Sequence, residues 1–448
     1  MTRSNTDDRQ QTAVSCARAD LQAGGRRVWV RGGLALAADA FVGTVNIVNG
    51  VHQAVTGTVT RLNPAARPIG LGIGMGSDFV YGRVRDIGRL SFFGVSQLAG
   101  LAETLVPARK RDIPERLSLG LHSAVNGAFG DYLERSGNEL ALSMAFVADD
   151  GRPISLTRNG LSVSLREPSP RLVVMIHGLG MNDRQWRQGE RPDFGARLTA
   201  DLGYSALRLR YNSGRHISSN GRDLARLMQS LFEAYPVAIE RLTIVGHSMG
   251  GLVARSACHY ARQAGHTWVD HLADLICLGS PHLGAPLERL GNRFNHSLTR
   301  ISYTRPFAAL GDIRSAGVKD LSHGYLRDED WQKDDGNAGG STPAASMPTL
   351  DHVGHFLVAA TLGRRDEDPL GRWLGDLLVP VRSAVGHSSV PSRRLSARDQ
   401  DGRIFYGMNH FALMHHDDVY AAILDWLAPR LARASRADAS RTVSQSPG

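Results

Sequence analysis

The residues best suited to covalent chemistry are Gly246-His247-Ser248-Met249-Gly250, entered by the apolar run LTIV and left by the helical pattern LVARSACHYARQ. A serine hydroxyl attacks a carbonyl carbon only when a histidine takes its proton and a carboxylate orients that histidine. Glycine on each side lets the chain bend sharply from strand to helix. The serine is then held at a helix N-terminus, where backbone N–H groups meet developing negative charge. The G-x-S-x-G pattern alone also describes a glycine-flanked loop serine, so the strand before it and the helix after it are what give it weight.

A tetrahedral intermediate carries its charge on one oxygen, which two backbone amides can hold. The run VVMI ending in His177-Gly178-Leu179-Gly180 supplies the first, from Leu179, and Met249 beside the serine supplies the second. Gly178 and Gly180 let the main chain come close, while His177 and His247 are immediate neighbours of the reacting position. His177 is read as shaping the loop, not as the base. When the nucleophile sits on such a bend, the acid and then the histidine follow it in the chain. Asp376, in GDLLVPVRSA, lies in a loop before the last strand and is the first choice for the acid. Asp366, Glu367 and Asp368 compete from nearer the strand end, although DEDP reads as a solvated turn. Of 17 histidines, His410 directly follows the last strand, in GRIFYGMNHFALMHH. His415 and His416 fall at the start of the final helix, and His387 lies mid-loop in GHSS.

These residues need a rigid frame. Short β-rich runs (LALSMAF, PISLT, LSVSL) predict an antiparallel start, followed by strands at 172–176, 206–211, 242–245, 275–279, 356–363 and 403–407. Helical patterns at 220–235, after Ser248, and in DDVYAAILDWLAPRLA alternate with them. That alternation predicts an α/β protein with a mostly parallel, doubly wound sheet. Residues 136–430 are assigned to this domain, with 286–350 as a lid or cap insertion, because a long stretch without periodicity inside a compact domain is usually functional. Residues 25–135 carry apolar positions every three or four residues and are read as a helical N-terminal region, and 1–24 and 431–448 as disordered tails.

The chain has 448 residues, 42% hydrophobic and 21% charged, as a water-folded protein does. Its net charge of +9 comes mainly from scattered arginine, with no compact basic block, which argues against a nucleic-acid partner. Three widely spaced cysteines and a polar, acidic N-terminus without an apolar run point to a reducing, cytoplasmic setting. The N-terminal helices offer peripheral contact with a lipid surface as an alternative to simple packing. No metal or organic cofactor is needed by this chemistry, and oligomeric state is not legible.

Taken in order, VVMIHGLGMNDRQW, RYNSGRHISSNG, VGHSMGGLVAR, LGSPHLGAP, GDLLVPVRSA and GMNHFALMHHDDVYAAILDWL resemble the α/β-hydrolase superfamily. Within it they are similar to the bacterial lipase and esterase branch and to the hydrolase domain of GPI inositol-deacylases. The resemblance covers about residues 170 to 430. It implies an α/β-hydrolase fold, a small-molecule or lipid ester substrate, Ser248, Asp376 and His410 as catalytic residues, and Pro281 and His282 beside the substrate. The function expected is carboxylic ester hydrolysis through an acyl-enzyme. Acyl transfer, polyester or phospholipid hydrolysis by the same residues, and a non-catalytic binding scaffold are the alternatives.

Overall fold

The computed structural model describes residues 115–165, 167–285, 315–332, 347, 349–364, 376, 378–395 and 399–444. The elements in chain order are α1 (Glu115–Arg135), β1 (Ala145–Val147), α2 (Arg158–Leu165), β2 (Arg171–Ile176), α3 (Phe194–Leu202), β3 (Ser205–Arg210), α4 (Ile217–Ala234), β4 (Arg241–His247) and α5 (Met249–Ala264). There follow β5 (Leu272–Leu278), α6 (Ala316–His323), α7 (Asp328–Gln332), β6 (Gly354–Thr361), the short α8 (Val381–Ala384), β7 (Asp399–Tyr406) and α9 (Asp417–Ser444).

The seven strands form one sheet in the order β1-β3-β2-β4-β5-β6-β7, all parallel except β1, which runs antiparallel to β3. In β2 every residue after Arg171 is buried, as an apolar run covered on both sheet faces must be. Its alternation sorts side chains between two cores. Leu172, Val174 and Ile176 pack with Leu224 and Met228 of α4 and Leu252 and Val253 of α5. Val173 and Met175 pack with Phe194 and Leu198 of α3 and Tyr420, Ile423 and Leu427 of α9. At one end of β5 the buried carboxylate of Asp274 pairs with Arg241 of β4 and Arg430 of α9, fastening the last helix to the sheet.

Chain order reverses direction across the sheet between β2 and β4. Connections leaving these two neighbours therefore run to opposite sides of the sheet, and such a switch point is the usual ligand position in a doubly wound sheet. This is an α/β-hydrolase fold.

The antiparallel start departs from expectation. Of LALSMAF only Ala145 and Phe146 enter a strand, PISLT contributes one isolated bridge at Pro153, and LSVSL lies in α2. The alternation in LSVSL suits a strand, but Leu161 and Leu165, one helical turn apart, pack on the core while Val163 is 73% exposed. The Thr157 hydroxyl accepts the Gly160 amide and starts the helix. The last helix runs to Ser444, where a disordered tail from 431 was expected. ARASRADAS is rich in alanine and arginine, both of high helix propensity.

The described residues fall into two compact units, one of 115–131 with 142–448, the other containing 132–141. The sheet unit thus takes in most of α1, N-terminal to the expected boundary at 136. In the other unit Gly137, at φ 62°, turns the chain out of α1, and the Asn138 amide bonds the Leu133 carbonyl. The expected helices and tail before residue 115, residues 286–314 and 333–346 of the expected lid, and Asp366, Glu367 and Asp368 lie outside the described residues.

Candidate active site

Ser248 joins β4 to α5 at φ 52° and ψ −122°, and among the described residues it is the only non-glycine at positive φ. Such a conformation costs about 1–3 kcal/mol and persists only where surroundings enforce it. Here the Ser248 amide bonds the Leu278 carbonyl at 2.8 Å, and the Ser248 carbonyl accepts the Gly251 amide. Gly250 lies against the end of β2. A Cβ there would fall 2.3 Å from the Ile176 carbonyl oxygen and 2.7 Å from that of His177. The elbow and the loop after β2 are therefore in backbone contact, which is why this position must be glycine.

That loop is anchored from behind. His177 is fully buried and stacks on Tyr211, ring centroids 4.4 Å apart. Its Nδ1–H donates to the Gly178 carbonyl, its Nε2 accepts the Tyr211 amide, and the Tyr211 hydroxyl donates to the His177 carbonyl. Burial pushes the His177 imidazole down to about 4, so it is neutral at neutral pH. The Gly180 amide bonds the Ser213 hydroxyl at 2.8 Å. These bonds leave the amides of Leu179 and Met249 without partners among the described residues, Met249 because it opens α5.

His410 begins a 3-10 turn after β7, capped by the Asn409 side chain, which accepts the Phe411 and Ala412 amides. Its Nδ1–H donates to Asp376 Oδ2 at 2.6 Å. The other carboxylate oxygen of Asp376 accepts the amides of Leu378 and Val379 at 3.0 and 2.8 Å. The buried carboxylate is thus fully bonded, as a charge at 1% exposure must be. The His410 ring packs on Gly279, where a Cβ would lie 3.0 Å from its Nδ1. Because the Ser248 amide bonds the preceding Leu278, β5 brings serine and histidine to the same strand end.

Sequence reasoning placed His247 beside the substrate, but its ring is wholly buried and faces the protein. Its Nε2–H donates to the His410 backbone carbonyl at 3.1 Å, and the two rings lie 4.7 Å apart. Burial holds this ring neutral, well below the usual histidine range. The ring thus bonds the His410 backbone, and its sequence signal was only its place next to Ser248. His282 is likewise buried, its Nδ1 accepting from Arg255, whose other terminal nitrogen bonds the Met347 carbonyl. Burial lowers the Arg255 guanidinium to about 10 and holds His282 neutral. Pro281 and His282 support the loop after β5. Of the rival bases, His415 is half-buried and hydrogen-bonded to the Trp186 backbone, His416 pairs with Asp418, and His387 is exposed. Among the described residues no cluster of His, Cys, Asp and Glu could hold a metal, and no helix is long and apolar enough to cross a membrane.

A family model described as PGAP1-like alpha/beta domain matches residues 208–348, which include β4, the elbow and α5. No curated protein matches the chain. Among solved structures, the mature Bacillus licheniformis lipase BlEst2 is 18% identical, covering 59% of this chain and 94% of its own, with a TM-score of 0.37. The Pyrococcus furiosus esterase Pf2001 is 13% identical over 64% and 90%, TM-score 0.35. The 2-hydroxy-6-oxo-6-phenylhexa-2,4-dienoate hydrolase of Rhodococcus sp. strain RHA1 is 15% identical over 57% and 90%, TM-score 0.31.

Proposed function

We propose that the chain hydrolyses carboxylic esters through an acyl-enzyme on Ser248. The observation that carries this reading is the coincidence of a strained serine at the β4–α5 bend with a buried Asp376–His410 hydrogen bond at the same strand end. Asp376 fixes the tautomer in which His410 Nδ1 bears hydrogen, leaving Nε2 as the base. His410 takes the Ser248 proton as Oγ attacks the ester carbonyl carbon, and the oxyanion is held by the Leu179 and Met249 amides. The imidazolium then protonates the departing alcohol, and a water activated by the same nitrogen releases the acid.

Hydrolysis of p-nitrophenyl esters from acetate to palmitate tests this. The wild type is expected to turn over at least part of the series, with Ser248→Ala and His410→Ala inactive and the optimum reporting acyl length. A wild type inactive on every ester, or a Ser248→Ala variant as active as wild type, contradicts it.

A further inference from the structure

A second region carries charge that ester cleavage does not use. From Leu377 to Arg394 the sequence holds Arg382, His387, Arg393 and Arg394 but no Asp or Glu. With Leu283, Gly284 and Ala285, residues 380–393 border a half-open cavity of about 430 Å³, lined on its polar side by Arg382, His387, Ser388 and Arg393 and, among the described residues, by no carboxylate. Several part-buried arginines pair with aspartates, as in Arg208 with Asp193, Arg210 with Asp183 and Arg241 with Asp274, whereas buried Arg255 meets only His282 and the Met347 carbonyl. The Arg382 guanidinium has no such partner among the described residues. Arg393 reaches only the Leu283 carbonyl, at 3.4 Å, and its Nε is buried without a partner.

The walls are held in place before anything binds. The Ser383 hydroxyl accepts the Leu283 amide and donates to the Gly284 carbonyl, the Leu395 amide bonds the Gly386 carbonyl, and Arg394 holds the Ser388 carbonyl. Exposed Arg382 and part-buried Arg393 both line this cavity without a carboxylate partner among the described residues, and an anion between two guanidinium groups is held by charge and by bidentate geometry.

We propose that this cavity is a subsite for an anionic oxygen group, phosphate or carboxylate, carried by the ester substrate. The attribution to substrate rests on the ester-hydrolase reading, because the loop that holds Asp376 runs directly into Pro380 of the cavity wall. A volume of this size admits such a group with a few attached carbons.

Calorimetric titration of the full chain with glycerol 1-phosphate and with succinate tests the anion site. Wild type is expected to bind at least one probe, Arg382→Ala/Arg393→Ala to lose about tenfold or more in affinity, and Arg382→Lys/Arg393→Lys to recover part of it. No binding of either probe, or equal binding by the alanine variant with an unchanged melting temperature, overturns the proposal. Turnover of 1-butyrylglycerol 3-phosphate against 1-butyrylglycerol, and of p-nitrophenyl hydrogen succinate against p-nitrophenyl butyrate, tests the substrate assignment. A preference for the charged member of either pair that the alanine variant loses supports it. The same ratios in both proteins overturn it. If no ester is cleaved while the probes still bind, the ester reading falls and takes the substrate assignment with it, but the anion cavity stands.

Discussion

Asp376 and His410 lie 34 positions apart in the chain, yet their side chains share a 2.6 Å hydrogen bond. Replacing Asp376 by Asn keeps the shape but allows the wrong His410 tautomer, so kcat is expected to fall about 10⁴-fold while the protein stays folded, measured on the best ester of the series. His247 acts one step further back. His247→Ala frees the His410 carbonyl and empties the space beside its ring, and is expected to lower kcat about ten- to a hundredfold with little change in KM. An equal rise in KM with kcat intact would remove His247 from any role in placing His410. Ser248, Asp376 and His410 could be proposed from the sequence because each has a fixed place relative to a strand end. The inward turn of His247 was not, because its hydrogen bond reaches a backbone atom on a distant loop and leaves no pattern in side-chain spacing.

At the scale of elements, strand positions followed from apolar runs, and the parallel order from their alternation with helices. The failures came where periodicity was short. LSVSL satisfies a strand pattern for five residues, yet the sheet edge next to it is already occupied by β1, and its leucines fit a helical face as well. The join between β2 and the elbow depends on a missing side chain. Gly250→Ala would place a Cβ 2.3 Å from the Ile176 carbonyl oxygen, a backbone atom with no freedom to move. The substitution is expected to destabilise the protein by about 2 kcal/mol or more, read as a lower melting temperature by calorimetry. An unchanged melting temperature would mean that the two backbones do not meet there.

For the whole molecule, three buried neutral histidines, His177, His247 and His282, contribute to the loss of stability in acid. Their folded values lie below that of an unfolded chain, so below about pH 6.5 the unfolded state binds protons that the folded state refuses. Stability is therefore full above that pH and declines as pH falls toward about 4, by about 3 kcal/mol for His177 alone over that range. Calorimetric scans from pH 7.5 to 4.5 should show a falling melting temperature with net proton uptake on unfolding; a flat profile would put these rings in water. The sequence counted these histidines but could not assign their burial, which depends on how loops from four strands close over one another. Ser248 as nucleophile is tested most directly by reacting the intact chain with a fluorophosphonate and locating the adduct by peptide mass spectrometry. One adduct, on Ser248, lost in His410→Ala, is the expected result. No adduct, or an adduct on another residue with Ser248 unmodified, would contradict it.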